Sequence, residues 1–136
     1  MTGPRSEVRA FTDAERIAAA RAYIEALVSH DANSVPFASG CTRVELGLKT
    51  GFSGEHLRRS LNRGPQYRVI KSASEPEFTV DGDTVRARFE LVTKPGFAGR
   101  RVGARIDETF LIPASGKAGR AEILHIRADI RPFLTS

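Results

Sequence analysis

The stretch Phe78-Thr79-Val80-Asp81-Gly82-Asp83-Thr84-Val85-Arg86-Ala87-Arg88-Phe89-Glu90-Leu91 alternates apolar and polar side chains on either side of an Asp-Gly pair. Alternation is the period of a half-buried strand, and Asp-Gly suits the tight primed turn of a hairpin. The stretch therefore reads as two antiparallel strands, with the turn at Asp81-Gly82. Downstream, Pro95-Gly96-Phe97-Ala98-Gly99 reads as a second turn, Val102 to Ile112 as a long strand, Pro113 to Gly119 as a third turn, and Arg120 to Ile130 as the last strand, ended by Pro132.

Upstream the period changes. Thr12-Asp13-Ala14-Glu15 has the spacing of a capping box, in which the Thr12 hydroxyl and the Glu15 carboxylate each satisfy a backbone NH at a helix start. Ile17, Ala20, Ile24, Leu27 and Val28 follow at helical spacing, which predicts a helix over 13–28. The residues before it, up to Phe11, read as a loosely held arm. Val35-Pro36-Phe37 suggests a short helix or turn, Thr42 to Leu48 a strand, and Ser53 the cap of a helix from Gly54 to Asn62, with Tyr67 to Ile70 a further strand. Helices first and then a run of strands predict one α+β domain, residues 1–136, in which helices cover the concave face of a curved antiparallel sheet.

Composition narrows the class. Of 136 residues, 40% are apolar, and 12 glycines bring the chain to the share of a globular domain. No apolar run is long enough for a membrane span, and the first ten residues lack a signal core, so a cytoplasmic location is expected. The lone Cys41 cannot form an internal disulfide and reads as a small, partly buried residue; no Cys/His cluster suggests a metal, and no motif suggests a cofactor. The net charge is +5, from 17 Arg and 4 Lys against 16 acids, but the basic residues are scattered. A nucleic-acid role therefore ranks behind small-molecule chemistry.

The strand 102–112 carries the first candidate. Alternation places Val102, Ala104, Ile106, Glu108, Phe110 and Ile112 on one face, and Arg101, Gly103, Arg105, Asp107, Thr109 and Leu111 on the other. Asp107 lies among Ile106, Phe110 and Leu111. Burial there would raise its pKa, and Arg105 would lower it. It reads either as a pocket acid or as half of a surface ion pair. On the last strand, Leu124, Ile126, Ala128 and Ile130 share one face and Ile123, His125, Arg127 and Asp129 the other. Apolar atoms on both faces of these strands predict a homodimer through the outer face of the sheet.

This order of elements, over roughly residues 10–133, resembles the nuclear-transport-factor-2-like (SnoaL-like) superfamily, a cone-shaped α+β fold that includes ketosteroid isomerases, limonene-epoxide hydrolases, scytalone dehydratase and polyketide cyclases. Tyr23 and Asp31 keep the eight-residue spacing of a ketosteroid isomerase helix motif, and Ile106-Asp107 is similar to its late-strand Ile-Asp. The resemblance implies that Tyr23 and a protonated Asp107 bind a developing enolate oxygen. Its general base is missing: Val44-Glu45 is followed by Leu46, leaving Glu45 as a substitute if the strand turns it inward. Arg105-Ile106-Asp107 is similar to the Arg-x-Asp of the epoxide hydrolases, in which the Arg orients and the Asp protonates the epoxide. When the Asp129-Ile130-Arg131 endings are matched, their water-activating Asp falls at Ile126, with His125 beside it as a possible base. Scytalone dehydratase ends in a similar Asp-Ile-Arg, without counterparts here for its catalytic histidines. The resemblance thus implies an apolar pocket for a small hydrophobic carbonyl or epoxide compound. Tyr23, Asp107, Arg105, Glu45 and His125 would be its polar groups, with Leu46, Phe89 and Ile126 against the substrate. The missing base keeps a non-catalytic binding domain of the same fold as the alternative.

Overall fold

The computed structural model describes residues 8–94 and 101–135. Helix α1, Asp13–Ser29, starts as its capping box predicts: the Thr12 hydroxyl accepts from the Glu15 NH at 3.0 Å, and Glu15 accepts from the Thr12 NH at 2.9 Å. It ends where His30 takes a left-handed conformation, φ 61°, and donates its NH to the Ala26 carbonyl. Ala19, Ala20, Tyr23, Ile24 and Leu27 form its buried stripe. Arg16 is buried with them, because its guanidinium donates to the Ile112 and Gly82 carbonyls and ties the helix to the turns below. Helix α2, Gly54–Arg63, has Ser53 as N-cap, accepting from the His56 NH.

The strands are β1 (Arg9–Ala10), β2 (Phe37–Glu45), β3 (Leu48–Gly51), β4 (Ile70–Ala73), β5 (Glu77–Asp81), β6 (Thr84–Thr93), β7 (Arg101–Leu111), β8 (Ser115–Gly116) and β9 (Ile123–Thr135). The main sheet runs β3-β2-β9-β7-β6-β4, with β5 also paired to β6. All its pairings are antiparallel except β2 with β9. This is the expected α+β architecture: a curved, mostly antiparallel sheet with helices against its inner face. Val85, Ala87, Phe89, Ile106, Phe110 and Ile126 are buried on that face. Arg86, Arg88, Arg105, Arg127 and Arg131 alternate with them and face outward.

Several local expectations are corrected. The hairpin has its two-residue turn at Gly82-Asp83, since Asp81 pairs with Thr84, and Gly82 supplies the left-handed φ of 59°. Phe37 opens a strand and not a helix, while the strand expected over 42–48 breaks at Leu46-Gly47. Both residues have positive φ, at 51° and 79°, and they turn β2 back into β3. Tyr67 and Arg68 belong to a third helix, α3, Pro65–Arg68: Pro65 is at the first turn, where its missing NH costs nothing, so it starts a helix. Pro132 does not end β9. Beyond Ala128 the strand has lost β2 as a neighbour, and proline is tolerated on such a free edge. The end of the predicted arm is held, with Arg9 and Ala10 paired to Gly116 and Ser115. The turn expected at Pro95 to Gly99 lies outside the described residues. No helix among the described residues is long and apolar enough to cross a membrane.

Candidate active site

An apolar cavity of about 270 Å³ lies between α1, α3 and the inner face of β6, β7 and β9. Leu27, Ile70, Leu91, Ala104, Ile106, Ala128 and Ile130 form most of its wall, and Tyr23, Glu45, Tyr67 and Glu108 are among its polar groups. Two more open and more polar depressions flank Asp107 on the outer face. The less open, more apolar cavity is the candidate site, because low polarity strengthens whatever electrostatic interaction a ligand makes there.

Tyr23 comes from the middle of α1 and is fully buried, edge-on to Phe37 and Phe110 at ring-centre distances of 6.1 and 5.6 Å. Its hydroxyl oxygen accepts from Arg43 Nη1 at 3.3 Å. Burial, aided by the negative charge of Glu108, pushes its pKa well above the ordinary phenol value, so it keeps its proton. With Arg43 donating to the oxygen, the phenol proton is left for another acceptor.

Glu108 comes from β7 on the same face as Ile106 and Phe110, and is 2% exposed. Its Oε1 has no hydrogen-bond partner among the described residues. Burial, and next the negative charge of Glu45, raise its pKa to about 8, with Arg43 pulling in the opposite direction. At neutral pH the group is therefore mainly a carboxylic acid, and it can donate a hydrogen bond or a proton.

Arg43 and Glu45 lie two residues apart on β2, on one side of the strand. Glu45 accepts from the Tyr67 hydroxyl at 3.0 and 3.3 Å, and Arg43 Nε lies 3.6 Å from it. Arg43 itself is fully buried. It donates to the Thr50 hydroxyl and carbonyl, each at 3.0 Å, and its guanidinium lies 5.0 Å from the centre of the Tyr67 ring. Burial opposes its charge, but Tyr23, Tyr67 and Glu45 more than offset this and hold its pKa above the ordinary arginine value. A buried cation is stable only when surrounded in this way.

Of the residues singled out from sequence, the fold brings Tyr23 and Glu45 together in the cavity. Asp107 does not join them. It lies on the outer face, where Arg86 Nε donates to its Oδ1 at 2.7 Å and Arg88 is 3.6 Å away. The hydrogen bond from Arg86 holds its carboxyl below the ordinary range, the reverse of a pocket acid. Arg105 is exposed on the same face beside Glu90 at 3.4 Å. His125 is at the start of β9, hydrogen-bonded through Nδ1 to the Thr42 hydroxyl at 2.7 Å; partial burial, then Arg127, lowers its pKa. Leu46 is 61% exposed at the tip of the β2–β3 hairpin. Phe89 and Ile126 are buried in the core and do not line the cavity. Asp31 is exposed and caps the turn at Asn33. Cys41 is fully buried, and burial pushes its thiol up to about 12.

Glu108, Tyr67 and Arg43 are the polar members that sequence reasoning missed. Glu108 had a signal, its place in the alternation of Ile106 and Phe110. Tyr67 has none, because Tyr67 to Ile70 reads in sequence as a strand, whereas Pro65 starts a helix. Arg43 reads in sequence as one more strand arginine.

Residues 9–128 match the family described as Domain of unknown function (DUF8021), and the chain belongs to it. None of the curated proteins matches the chain by sequence. Among solved structures it is similar to SalBIII, an epoxide hydrolase/cyclase-like enzyme of pyran ring formation in the polyether salinomycin: 14% identity, 88% of this chain and 92% of that one, TM-score 0.63. It is also similar to AusH from Aspergillus nidulans, at 13% identity, 88% and 86% coverage and TM-score 0.61. A de novo designed protein with a curved β-sheet matches nearly as well, at 12% identity, 89% and 88% coverage and TM-score 0.60. The fold is thus nuclear-transport-factor-2-like, as the order of elements implied. A designed sheet of the same shape shows that the fold alone carries no chemistry.

Proposed function

We propose that this cavity takes a small hydrophobic carbonyl or epoxide compound and that the chain transforms it by proton transfer, as an isomerase, hydrolase or cyclase. The observation that carries this reading is the buried carboxyl of Glu108, whose Oε1 has no partner among the described residues, in a mainly apolar cavity that also holds the Tyr23 phenol. Two hydrogen-bond donors in a water-poor site stabilise an oxygen that gains negative charge. With a ketone, Tyr23 and Glu108 bind the carbonyl oxygen while a base removes the neighbouring C–H proton, giving the enol. With an epoxide, Glu108 gives its proton to the ring oxygen as the C–O bond breaks, and the attacking hydroxyl loses its proton to the base. Glu45, the other carboxylate in the cavity lining, is the candidate for that task.

The test is turnover of small cyclic enones and epoxides by the purified chain and by Glu108→Gln and Tyr23→Phe. Each variant should lose about a hundredfold in kcat. Turnover that survives both changes removes these roles. One observation favours the non-catalytic alternative: the Glu45 carboxylate already accepts from the Tyr67 hydroxyl, which lies 3.0 and 3.3 Å from its two oxygens. Saturable thermal stabilisation by a ligand without turnover would establish that reading instead.

We also propose that two copies pair across the outer face. Arg86, Arg88, Arg105, Arg127 and Arg131 alternate there with Glu90, Asp107 and Asp129, a pattern that can complement itself. A light-scattering mass near 14.8 kDa, and not twice that, would exclude the pairing.

A further inference from the structure

Six charged side chains on the outer face of the sheet stand in two adjacent rows, and the rows are opposite in sign on every strand they cross. Across β6, β7 and β9, the register sets Arg88, Asp107 and Asp129 side by side. One step along the strands it sets Glu90, Arg105 and Arg131 side by side. The first row reads plus, minus, minus, and the second minus, plus, plus. The rows lie about 7 Å apart along the strands, and neighbours within a row about 5 Å apart. All six side chains line one open depression of about 510 Å³ and are 33% to 81% exposed.

Within one chain their pairing is incomplete. Arg88 reaches Asp107, Arg105 reaches Glu90 and Arg131 reaches Asp129, each only at 3.4 to 3.7 Å. Asp107 also lies directly opposite Asp129, and Arg105 directly opposite Arg131. Like charges in such positions repel each other. What relieves both repulsions is opposite charge presented from above the sheet.

A second copy of the chain presents it. In a closed pair the two copies are related by a two-fold axis, so each contact occurs twice with its members exchanged. Let the axis run along the rows, midway between them. Arg88 then meets the partner's Glu90, Asp107 meets the partner's Arg105, and Asp129 meets the partner's Arg131. The flanking residues also match, since Phe133, whose ring lies over Gly103 on this face, meets the partner's Arg127. Other placements fail. Moving the axis one row toward Thr109 sets Arg86 against the partner's Arg88. Moving it one row the other way sets the second row against Val92, Gly103 and Phe133, which carry no charge. Turning it along β7 sets Asp107 against the partner's Asp107.

Resting on the pairing across the outer face proposed above, we propose that these two rows fix its register: a second copy, turned about an axis along the rows, lays its Arg105 and Arg131 on Asp107 and Asp129. Exposed ion pairs contribute little affinity one by one, but several in one alignment select that alignment over others. The arginine stems and the Phe133 ring add apolar contact.

The experiment is sedimentation equilibrium at low ionic strength on the full chain and two charge-reversed variants, Asp107→Lys with Asp129→Lys and Arg105→Glu with Arg131→Glu. The native chain should give twice 14.8 kDa. Each variant alone sets like charges against each other on β7 and β9, and should give 14.8 kDa with the circular dichroism of the native chain. An equal mixture of the two restores opposite charges at every contact and should pair. A milder variant, Asp129→Asn with Arg131→Gln, serves if a reversed one does not fold. It should raise the dimer dissociation constant about tenfold. A monomeric native chain would remove the pairing itself. A native dimer would leave the pairing standing and overturn this register if either reversed variant also paired alone, if their mixture stayed monomeric, or if the milder variant paired as tightly as the native chain.

Discussion

Asp107 and Glu108 are adjacent on β7, and the pleat of the strand sends their carboxyls to opposite sides of the sheet. One is held by Arg86 on the outer face; the other is buried against the cavity, with no partner for Oε1 among the described residues. The same chemical group thus has a lowered pKa at one position and a raised one at the next. Their effects on stability must therefore run in opposite directions with pH.

For Glu108, the unfolded chain releases the proton near the ordinary value of 4.5, and the folded chain near 8. Between those values the native state binds more protons, so folding stability falls as pH rises through the window and levels off above it. At roughly 1.4 kcal/mol per pH unit this amounts to a few kcal/mol. Glu108→Gln cannot ionise. Its urea midpoint should exceed that of the native chain at pH 9 and come close to it at pH 4.5. Parallel pH profiles for the two proteins would contradict a protonated Glu108.

Asp107 behaves in the opposite way. Its folded pKa is depressed, so its contribution is present above the unfolded value of 3.8 and is lost as pH falls through the folded one. The pair with Arg86 is partly exposed, on side chains 33% and 44% accessible, and such pairs contribute about 1 kcal/mol or less. Asp107→Asn should therefore cost no more than this at pH 7 and leave ligand-induced thermal shifts intact. Loss of ligand binding in that variant would return Asp107 to the site.

Arg43 is predicted to hold the polar end of the cavity together. Arg43→Met removes the donor to Tyr23 and Thr50 and leaves Glu45 with a buried cation missing, so the loss should be about 3 kcal/mol or more. Adding Glu45→Gln should recover part of it, since the second change removes the uncompensated charge. Additive losses in the double-mutant cycle, measured by urea unfolding, would show that the two side chains are not coupled.

What was legible in advance follows the range of each interaction. The capping box at Thr12 and the N-cap at Ser53 are local and show in four residues. The alternation on β7 is also local, and it sorted Glu108 with Ile106 and Phe110 correctly. Of the two readings of Asp107, the structure shows the surface ion pair; Ile106-Asp107 resembles a family motif, while the face it occupies depends on which side the helices cover. Strand parity cannot supply that. Tyr23 could be found because it borders the apolar stripe of α1. The burial of Arg43 could not, because its partners Thr50, Ser60 and Tyr23 come from three other elements, and a strand arginine in isolation reads as solvated. The parallel pairing of β2 with β9 likewise joins residues some eighty positions apart that carry no mutual signal.

Leu46 offers a prediction in which the substitution should be a gain. It occupies the left-handed region at φ 51°, followed by Gly47 at 79°, in a two-residue turn between Glu45 and Leu48. For an L-residue with a Cβ that conformation costs roughly 1–2 kcal/mol, and asparagine tolerates it better because its side chain bonds locally. Asn-Gly is also the preferred pair for such a turn. Its leucine side chain is 61% exposed, so little burial is lost on replacement. Leu46→Asn should raise the urea midpoint by an amount equivalent to about 1 kcal/mol. It should also leave ligand affinity unchanged, because the hairpin tip is not part of the cavity wall. Weaker ligand binding in this variant would place Leu46 against the ligand after all, and a lower midpoint would mean that the side chain makes a contact the exposed tip does not account for.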